Sequence, residues 1–220
     1  MRKFFTDRTP PDPDELARIY DSHAHTWLTR ECKAESRLTS EKWRNDLVQE
    51  LRGEVLEIGV AAGDNLVRMK GYDHHVSSFT GIDVSPDMIQ QAQRSASGSM
   101  VPVSLHVADA ENLRMFPDNA FDTVTASLVL CTIRDVTKAL AEIQRVLRPS
   151  GRLVLIEHVL SPNLLVGAIQ KLVAPIQIRH MGCHLDRPTV ETLVDHGFRI
   201  EEHRKRIFGV MRFVIARPPA

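Results

Sequence analysis

The stretch EVLEIGVAAG, residues 54–63, decides the fold of this chain. Its first half is a short apolar run, which is typical of a buried strand. Gly59 and Gly63 then allow a tight turn and a close approach of the backbone to a ligand. The segment Gly63–Met69 is predicted to be a helix, whose first amide groups attract an anion or a carboxylate. This order predicts one strand–turn–helix unit of an α/β sheet, although a turn without a ligand has the same pattern.

The alternation of strands and helices continues on the C-terminal side. The predicted strands are SSFTGIDV (77–84), VPVSLHVAD (101–109), FDTVTASLVL (121–130) and RLVLIEHVL (152–160), and the predicted helices are Pro86–Arg94, Val136–Leu147 and Thr189–Asp195. Residues 198–208 and 210–218 flank Gly209 and predict an antiparallel β-hairpin. Such alternation is typical of a mainly parallel, doubly wound sheet, in which ligands bind at the carboxyl ends of the strands.

Two helices are predicted ahead of the first strand, at Asp14–Leu28 and Ser40–Leu51. With 220 residues, the chain has the length of one α/β domain and is too short for two full ones. We therefore predict a single domain over residues 1–220, with a helical cap segment at 1–52 and a sheet core at 53–220.

The composition disfavours several classes of protein. Lys and Arg together number 28, as do Asp and Glu, so no global basic field is present to hold nucleic acid. Three unpatterned cysteines, at positions 32, 131 and 183, predict no disulfide framework, no metal site and a reducing, cytoplasmic location. No apolar run reaches the length of a signal peptide or a membrane span. Leu164–Ile178 predicts a buried or interfacial helix, which leaves peripheral contact with a membrane open.

Three acidic residues follow three successive predicted strands. Glu57 precedes the glycine turn, where its carboxylate can accept a hydrogen bond from a cationic amino group. Asp83 lies about twenty residues farther on, a spacing that suits a ribose diol. Asp109 can accept from the exocyclic amine of a purine. Each acid alone also fits a bland role, as a turn, helix-cap or surface-loop residue, but Ser85 before Pro86 is the better cap candidate.

Four motifs, VLEIGVAAGDN, GIDVSPDMIQQAQ, VADAENLRMFPDNAFDTV and VLRPSGRLVLIEHV, resemble the successive motifs of the class I S-adenosylmethionine-dependent methyltransferases. Further phrases, SLVLCTIRD and GCHLDR, resemble the thiol S-methyltransferases within the quinone and phospholipid methyltransferase group. The resemblance covers residues 55–187. It implies a Rossmann-like, seven-stranded, mostly parallel sheet with a C-terminal antiparallel hairpin and N-terminal cap helices. It also implies S-adenosyl-L-methionine as cofactor and S-adenosyl-L-homocysteine as product.

The resemblance implies a cofactor contact at each matching residue. Glu57, Gly59 and Gly63 hold the methionine part of the cofactor, and Ala61 stands where glycine is commoner. Tyr20 closes over the amino-acid end of the cofactor. The implied contacts to the ribose and the adenine are Asp83, Val84 and Met88, together with Asp109, Ala110 and Glu111. The implied residues beside the sulfonium are Ser127 and Leu128.

Methyl transfer is a displacement at a sulfonium, so the cofactor carries most of the reactivity and the protein positions the acceptor. Histidine suits proton removal near neutrality, and His158, His180 and His184 are the candidate bases. Each histidine also has a structural alternative. His158 can be a packed, hydrogen-bonded residue, and His180 and His184 can cap backbone groups of their loop. The acceptor is predicted to be a small molecule, first a thiol, with a quinone-type carbon or a phospholipid amine as alternatives.

Two other classes of function stay open from the sequence. A nicotinamide-dependent oxidoreductase has a similar glycine turn, but Ala61 in the place of a middle glycine and the acid at Asp109 count against it. A non-catalytic partner that only binds the cofactor is the other alternative. Cys131 and Cys183 are predicted to be structural thiols of the core.

Overall fold

The computed structural model describes residues 9–31, 41–70 and 75–219. The helices are α1 (Pro13–Asp21), α2 (Glu41–Glu50), α3 (Asp64–Met69), α4 (Pro86–Ser95), α5 (Val136–Val146), α6 (Leu164–Met181) and α7 (Thr189–Asp195). The strands are β1 (Gly53–Ile58), β2 (Val76–Asp83), β3 (Val103–Val107), β4 (Phe121–Ser127), β5 (Leu147–His158), β6 (Arg199–Arg206) and β7 (Met211–Arg217). A π-helical turn at Trp27–Glu31 and a 3₁₀ turn at Ile207–Gly209 complete the elements.

The seven strands form one sheet in the order β3-β2-β1-β4-β5-β7-β6. Strands β1 to β5 pair in parallel, while β7 is antiparallel to both β5 and β6. This arrangement confirms the predicted Rossmann-like sheet with its antiparallel C-terminal hairpin. The register pairs Asp83 with Val107 and Ser127 with Ile156, so the carboxyl ends of these strands meet at one edge.

Both faces of the sheet are covered, which explains why its central strands are almost continuously apolar. Leu56 and Ile58 face one core, together with residues of α5 and α7. Val55 faces the other core, against Leu47 of α2 and residues of α3 and α4. Because helices cover both faces, the ligand-accessible part of the sheet is its carboxyl edge.

The prediction of one helix over Asp14–Leu28 is wrong at its C-terminal half. The helix α1 ends at Asp21, and turns lead from there to the π-helical turn. Ser22 Oγ donates to the carbonyl of Ile19 at 2.7 Å, and such local side-chain bonds compete with the continuing helix. The second cap helix matches its predicted span closely, except that Ser40 lies outside the described residues.

The helix α6 turns a polar side chain inward and an apolar face outward. Gln170 is buried, donates to the carbonyls of Val159 and Leu185, and accepts from the amide of Ser161. The exposed side of the helix carries Leu164, Leu165, Ile169 and Leu172. Only one side of the predicted apolar segment is therefore buried. Within the described part of the chain, no helix is long and apolar enough to cross a membrane.

The cap helix α1 bridges two parts of the core. It contacts α4 on one side and α6 on the other. The hydroxyl of Tyr20 donates to the carbonyl of Met181 at 3.3 Å. Gly182, which ends α6 at a φ of 68°, leaves room for Leu16, since a Cβ there would lie 2.5 Å from Leu16 Cδ1. The cap is thus fitted against the end of α6.

Candidate cofactor site

A pocket opens at the carboxyl edge of the sheet, beneath α1. Among the residues predicted as cofactor contacts, all except Gly63 and Met88 line it. These lining residues are Tyr20, Glu57, Gly59, Ala61, Asp83, Val84, Asp109, Ala110, Glu111, Ser127 and Leu128. Residues from four separate strand ends and from the cap therefore meet around one space.

The glycine turn after β1 has a left-handed backbone at three positions. Gly59, Ala61 and Gly63 have φ values of 65°, 46° and 85°. At Gly59 space is also restricted, because a Cβ would lie 2.3 Å from Cγ2 of Val129. Gly59 therefore allows the turn to pack against the loop after β4. Gly63 is the N-cap residue of α3 and shapes the turn from outside the pocket lining.

Glu57 is a buried acid at the floor of the pocket, with 2% of its surface exposed. Its Oε1 accepts from Asn65 Nδ2 at 2.6 Å, and Oε2 has no hydrogen-bond partner among the described residues. Burial raises the pKa of Glu57 to about 8, and the charges of Asp64 and Asp83 add to the shift. An unsatisfied buried carboxylate oxygen in a pocket is suited to bind an ammonium group, which would restore the charged form.

Arg44 brings a positive charge to the same part of the pocket. Its side chain comes from α2, is 3% exposed and donates to Asp64 Oδ2 at 3.4 Å. Arg68 donates to the same oxygen of Asp64 at 2.8 Å. A guanidinium beside the carboxylate of Glu57 matches a ligand that carries both an ammonium and a carboxylate group. The sequence pattern does not point to Arg44 or Asn65, because neither belongs to a strand-end motif.

Asp83 ends β2 with both carboxylate oxygens already hydrogen-bonded to the backbone. Oδ2 accepts from the amide of Ala61 at 2.9 Å, and Oδ1 accepts from the amide of Ser85 at 3.0 Å. Burial raises the pKa of Asp83 to about 6, although these amide bonds oppose the shift. Ser85 is the N-cap of α4, since its Oγ accepts from the amide of Met88 at 3.0 Å, as predicted. Each carboxylate oxygen keeps acceptor capacity for a diol.

The two acids after β3 have different roles in the fold. Asp109 Oδ1 accepts from the amide of Glu111 at 2.9 Å, which shapes the loop at the pocket. Glu111 Oε1 accepts from the amide of Asp135 at 2.7 Å and so holds the start of α5. Both residues line the pocket, next to Ala110. Their carboxylates and the backbone groups between them can form hydrogen bonds with the edge of a planar polar ring.

Aromatic residues of the cap cover the pocket. The rings of Tyr20 and Trp27 meet edge to face, with centroids 5.6 Å apart, and both line the space. Met88 is fully buried beneath them, packed with Ala24 and Ala62, and does not line the pocket. Met88 therefore supports the cap from below, and its predicted place near the adenine stays a prediction.

The three histidines predicted as bases lie elsewhere. In the described parts of the chain none of them lines the pocket. His158 Nε2 lies 2.9 Å from Cys183 Sγ, and His180 is exposed near the end of α6. The backbone amide of His184 donates to the carbonyl of Cys131 at 2.8 Å. The structure does not bring these three side chains together around the cofactor pocket.

Comparison with known proteins agrees with this geometry. A family described as "Methyltransferase domain" matches residues 56–155, which include all the strand-end acids. A phosphatidylethanolamine N-methyltransferase of Cereibacter sphaeroides is 33% identical over 167 residues, covering 73% of this chain and 79% of that protein. The chain belongs to the class I S-adenosylmethionine-dependent methyltransferases.

Some other relatives match over shorter stretches of the chain. A thiol S-methyltransferase of Rattus norvegicus is 39% identical over 85 residues, covering 38% of this chain and 35% of that protein. Two curated quinone-pathway methyltransferases among the most similar relatives are matched over about half of their length. A solved S-adenosylmethionine-dependent methyltransferase from Mesorhizobium loti superposes with a TM-score of 0.61 at 19% identity, covering 79% of this chain and 95% of that one. That structural likeness supports the fold.

Proposed function

We propose that this chain transfers a methyl group from S-adenosyl-L-methionine to a small-molecule acceptor, with a thiol as the first acceptor class. One observation carries the cofactor part of the proposal. Glu57, Asp83 and Asp109 end three neighbouring strands and line one pocket together with the glycine turn. In this proposal the first carboxylate binds the ammonium group of the cofactor, the second binds its ribose, and the third lies beside its purine.

The remaining pocket residues complete the proposed binding mode. Arg44 pairs with the carboxylate of the methionine part, and Tyr20 covers that end. Val84 and Ala110 pack beside the adenosine, with Glu111 at its edge. Ser127 ends β4, Leu128 follows it, and both lie beside the sulfonium. These residues and the others named here line the pocket. Trp27 and the cap exclude water from the reacting centre.

The chemistry of the acceptor favours a thiol. When bound, S-adenosyl-L-methionine supplies an electrophilic methyl group. The acceptor sulfur forms a bond to that carbon while the carbon–sulfonium bond breaks, and the bonding pair stays on the cofactor sulfur. A free thiol has a pKa of about 8.5, so part of it is thiolate near neutrality and its proton goes to solvent. Because the described pocket lining includes no histidine, an acceptor that ionises easily suits this pocket.

A phospholipid amine is the second candidate, and a specific observation favours it. A relative matched over 79% of its length carries the name phosphatidylethanolamine N-methyltransferase. The exposed apolar face of α6, with Leu164 and Leu172, would also suit contact with a lipid surface. An amine is mostly protonated at neutral pH, so this acceptor needs a base that a thiol does not need.

The test is turnover with a panel of acceptors. The purified chain is incubated with S-adenosyl-L-methionine and either dithiothreitol, 2-mercaptoethanol, phosphatidylethanolamine vesicles or a demethylated menaquinol, and products are followed by mass spectrometry. We expect S-methylated thiols together with S-adenosylhomocysteine. Methylation of the vesicles or the quinol alone would replace the thiol by that acceptor. Cofactor binding without any turnover would support a binding partner, and binding of NADH in its place would indicate an oxidoreductase.

The substitution Arg44→Met is expected to weaken binding of S-adenosylhomocysteine by about 10- to 100-fold, the range for one charge-assisted hydrogen bond. Arg68→Met is the matched control, because Arg68 also binds Asp64 but does not line the pocket. Calorimetry with S-adenosylhomocysteine and with 5′-methylthioadenosine, which lacks the amino-acid part, separates the roles. Equal losses for both ligands would contradict a contact between Arg44 and the carboxylate.

Cofactor binding is expected to release close to one proton at pH 7. The pKa of Glu57 is about 8 in the free protein, so Glu57 is mostly protonated at pH 7 and must ionise to pair with the ammonium. Affinity should therefore rise as the pH increases towards 8. Calorimetry in buffers of different ionisation enthalpy measures the proton, and Glu57→Gln should abolish its release. Unchanged proton release in this variant would assign the effect to another group.

A further inference from the structure

Two cysteines and a histidine from three separate elements meet beside the pocket. Cys131 lies in the loop after β4, His158 ends β5, and Cys183 follows α6. The atoms Sγ of Cys131, Nε2 of His158 and Sγ of Cys183 all lie within 4.8 Å of one another. Both cysteines are buried and form no disulfide. In the described parts of the chain this is the group of His, Cys and acidic residues close enough to share a metal ion.

The loop that carries Cys131 is held by charged groups on both sides. Glu157 Oε1 accepts from the amides of Val129 and Leu130, each at 2.8 Å. Arg187 donates to the carbonyl of Leu130 and, at 2.8 Å, to that of Ile133. These bonds fix the backbone on either side of Cys131. A fixed position of this kind is required of a ligand that must be ready before the ion arrives.

The other two side chains are also fixed by the fold. His158 pairs with Met211 in the antiparallel part of the sheet. Cys183 follows Gly182, whose left-handed backbone ends α6 and whose amide donates to the carbonyl of Ile178 at 2.9 Å. The chain reverses there and places Cys183 Sγ 2.9 Å from His158 Nε2.

We propose that Cys131, His158 and Cys183 bind one thiophilic divalent cation, with Zn²⁺ as the preferred ion. Two thiolates and one imidazole are typical zinc ligands, with Zn–S of about 2.3 Å and Zn–N of about 2.0–2.1 Å. Ligand atoms of such a tetrahedral site lie roughly 3.4–3.8 Å apart. The three atoms lie within 4.8 Å of one another, so side-chain movements on the order of 1 Å would bring them to these separations.

The charges and the number of ligands fit this ion. Two thiolates neutralise a divalent cation, and the loop that carries Cys131 is held by an acidic and a basic side chain, Glu157 and Arg187. Three protein ligands leave a fourth position for water or another small ligand. Thr132, the neighbour of Cys131 in the chain, lines the cofactor pocket, so the ion would lie just behind the pocket wall. The site does not depend on which acceptor is methylated.

The experiment uses the full chain without an affinity tag, purified in the absence of chelators. Elemental analysis by mass spectrometry is expected to find about one Zn²⁺ per chain. The double variant Cys131→Ser/Cys183→Ser should lose the ion, and Cys32→Ser, the matched control, should retain it. Chelator-treated wild-type protein is then titrated with Co²⁺, and thiolate-to-cobalt absorption should saturate at one equivalent. This titration tests the site even if the double variant fails to fold.

Three results would overturn the proposal. The first is wild-type protein that contains no stoichiometric metal and gives no thiolate-to-cobalt absorption. The second is retention of the ion by the double cysteine variant, which would place it elsewhere. The third is a disulfide between Cys131 and Cys183 in freshly purified protein, which would assign the pair to redox chemistry.

Discussion

Replacing Asp83 by asparagine is expected to weaken binding of S-adenosylhomocysteine by about 100-fold, with little change in melting temperature. Two hydrogen bonds from ribose hydroxyls to a carboxylate together contribute roughly 3 kcal/mol, a factor of about 100. Asparagine offers one acceptor oxygen, so it also loses one of the bonds from the amides of Ala61 and Ser85. It removes a half-buried charge at the same time. Because the raised pKa shows that the fold disfavours this charge, its removal offsets the lost bond.

Calorimetric titration of the wild type, Asp83→Asn and Asp87→Asn measures this effect. Asp87 is the matched control, since it is exposed at the start of α4 and does not line the pocket. In the wild type, affinity should also fall as the pH drops through about 6, where Asp83 becomes protonated. Wild-type affinity in Asp83→Asn would mean that the ribose is bound by other groups.

The substitution Gly59→Ala is expected to lower stability by about 2–5 kcal/mol, combining the cost of a left-handed alanine with overpacking. The melting temperature should drop by roughly 5–15 °C for a chain of this size. The new methyl group would meet Val129 at 2.3 Å, and the amide of Val129 is bound to Glu157, so the loop yields little. We expect the distorted turn to lose measurable affinity for S-adenosylhomocysteine.

Two further variants separate the causes of this loss. Gly98 has a φ of 77°, and nothing lies within 4 Å of the position that an added methyl group would take, so Gly98→Ala reports the backbone cost alone. The double variant Gly59→Ala/Val129→Ala should recover part of the stability by removing the contact. Thermal unfolding followed by circular dichroism measures all of them. Equal melting temperatures for Gly59→Ala and Gly98→Ala would rule out the contact with Val129 as the cause.

The sequence was sufficient to predict the sheet and the acids at its edge, because strand-end residues converge whenever parallel strands pair. Glu57, Asp83 and Asp109 follow that rule and line one pocket. Arg44 could not be found in this way, since its position depends on how α2 packs against α3. The burial of Met88 could not be found in this way either, because it depends on the cap above one face of α4.

The cluster of Cys131, His158 and Cys183 was also beyond sequence analysis. The spacings between the three residues match no metal-binding motif, so the sequence predicts structural thiols and no metal site. Their meeting depends on the loop after β4, the end of β5 and the turn after α6 arriving at one point. Local sequence patterns indicate helices and strands, but contacts between residues that are distant in the chain depend on how whole elements pack.

The bond between Tyr20 and the end of α6 bears on the order of events in a catalytic cycle. Leu16 and Tyr20 line the cofactor pocket, and Tyr20 donates to the carbonyl of Met181. If the cofactor binds beneath α1 as proposed, we expect its exchange to move α1 away from its contacts with α4 and α6. A lid that must open in this way makes product release a candidate for the slowest step.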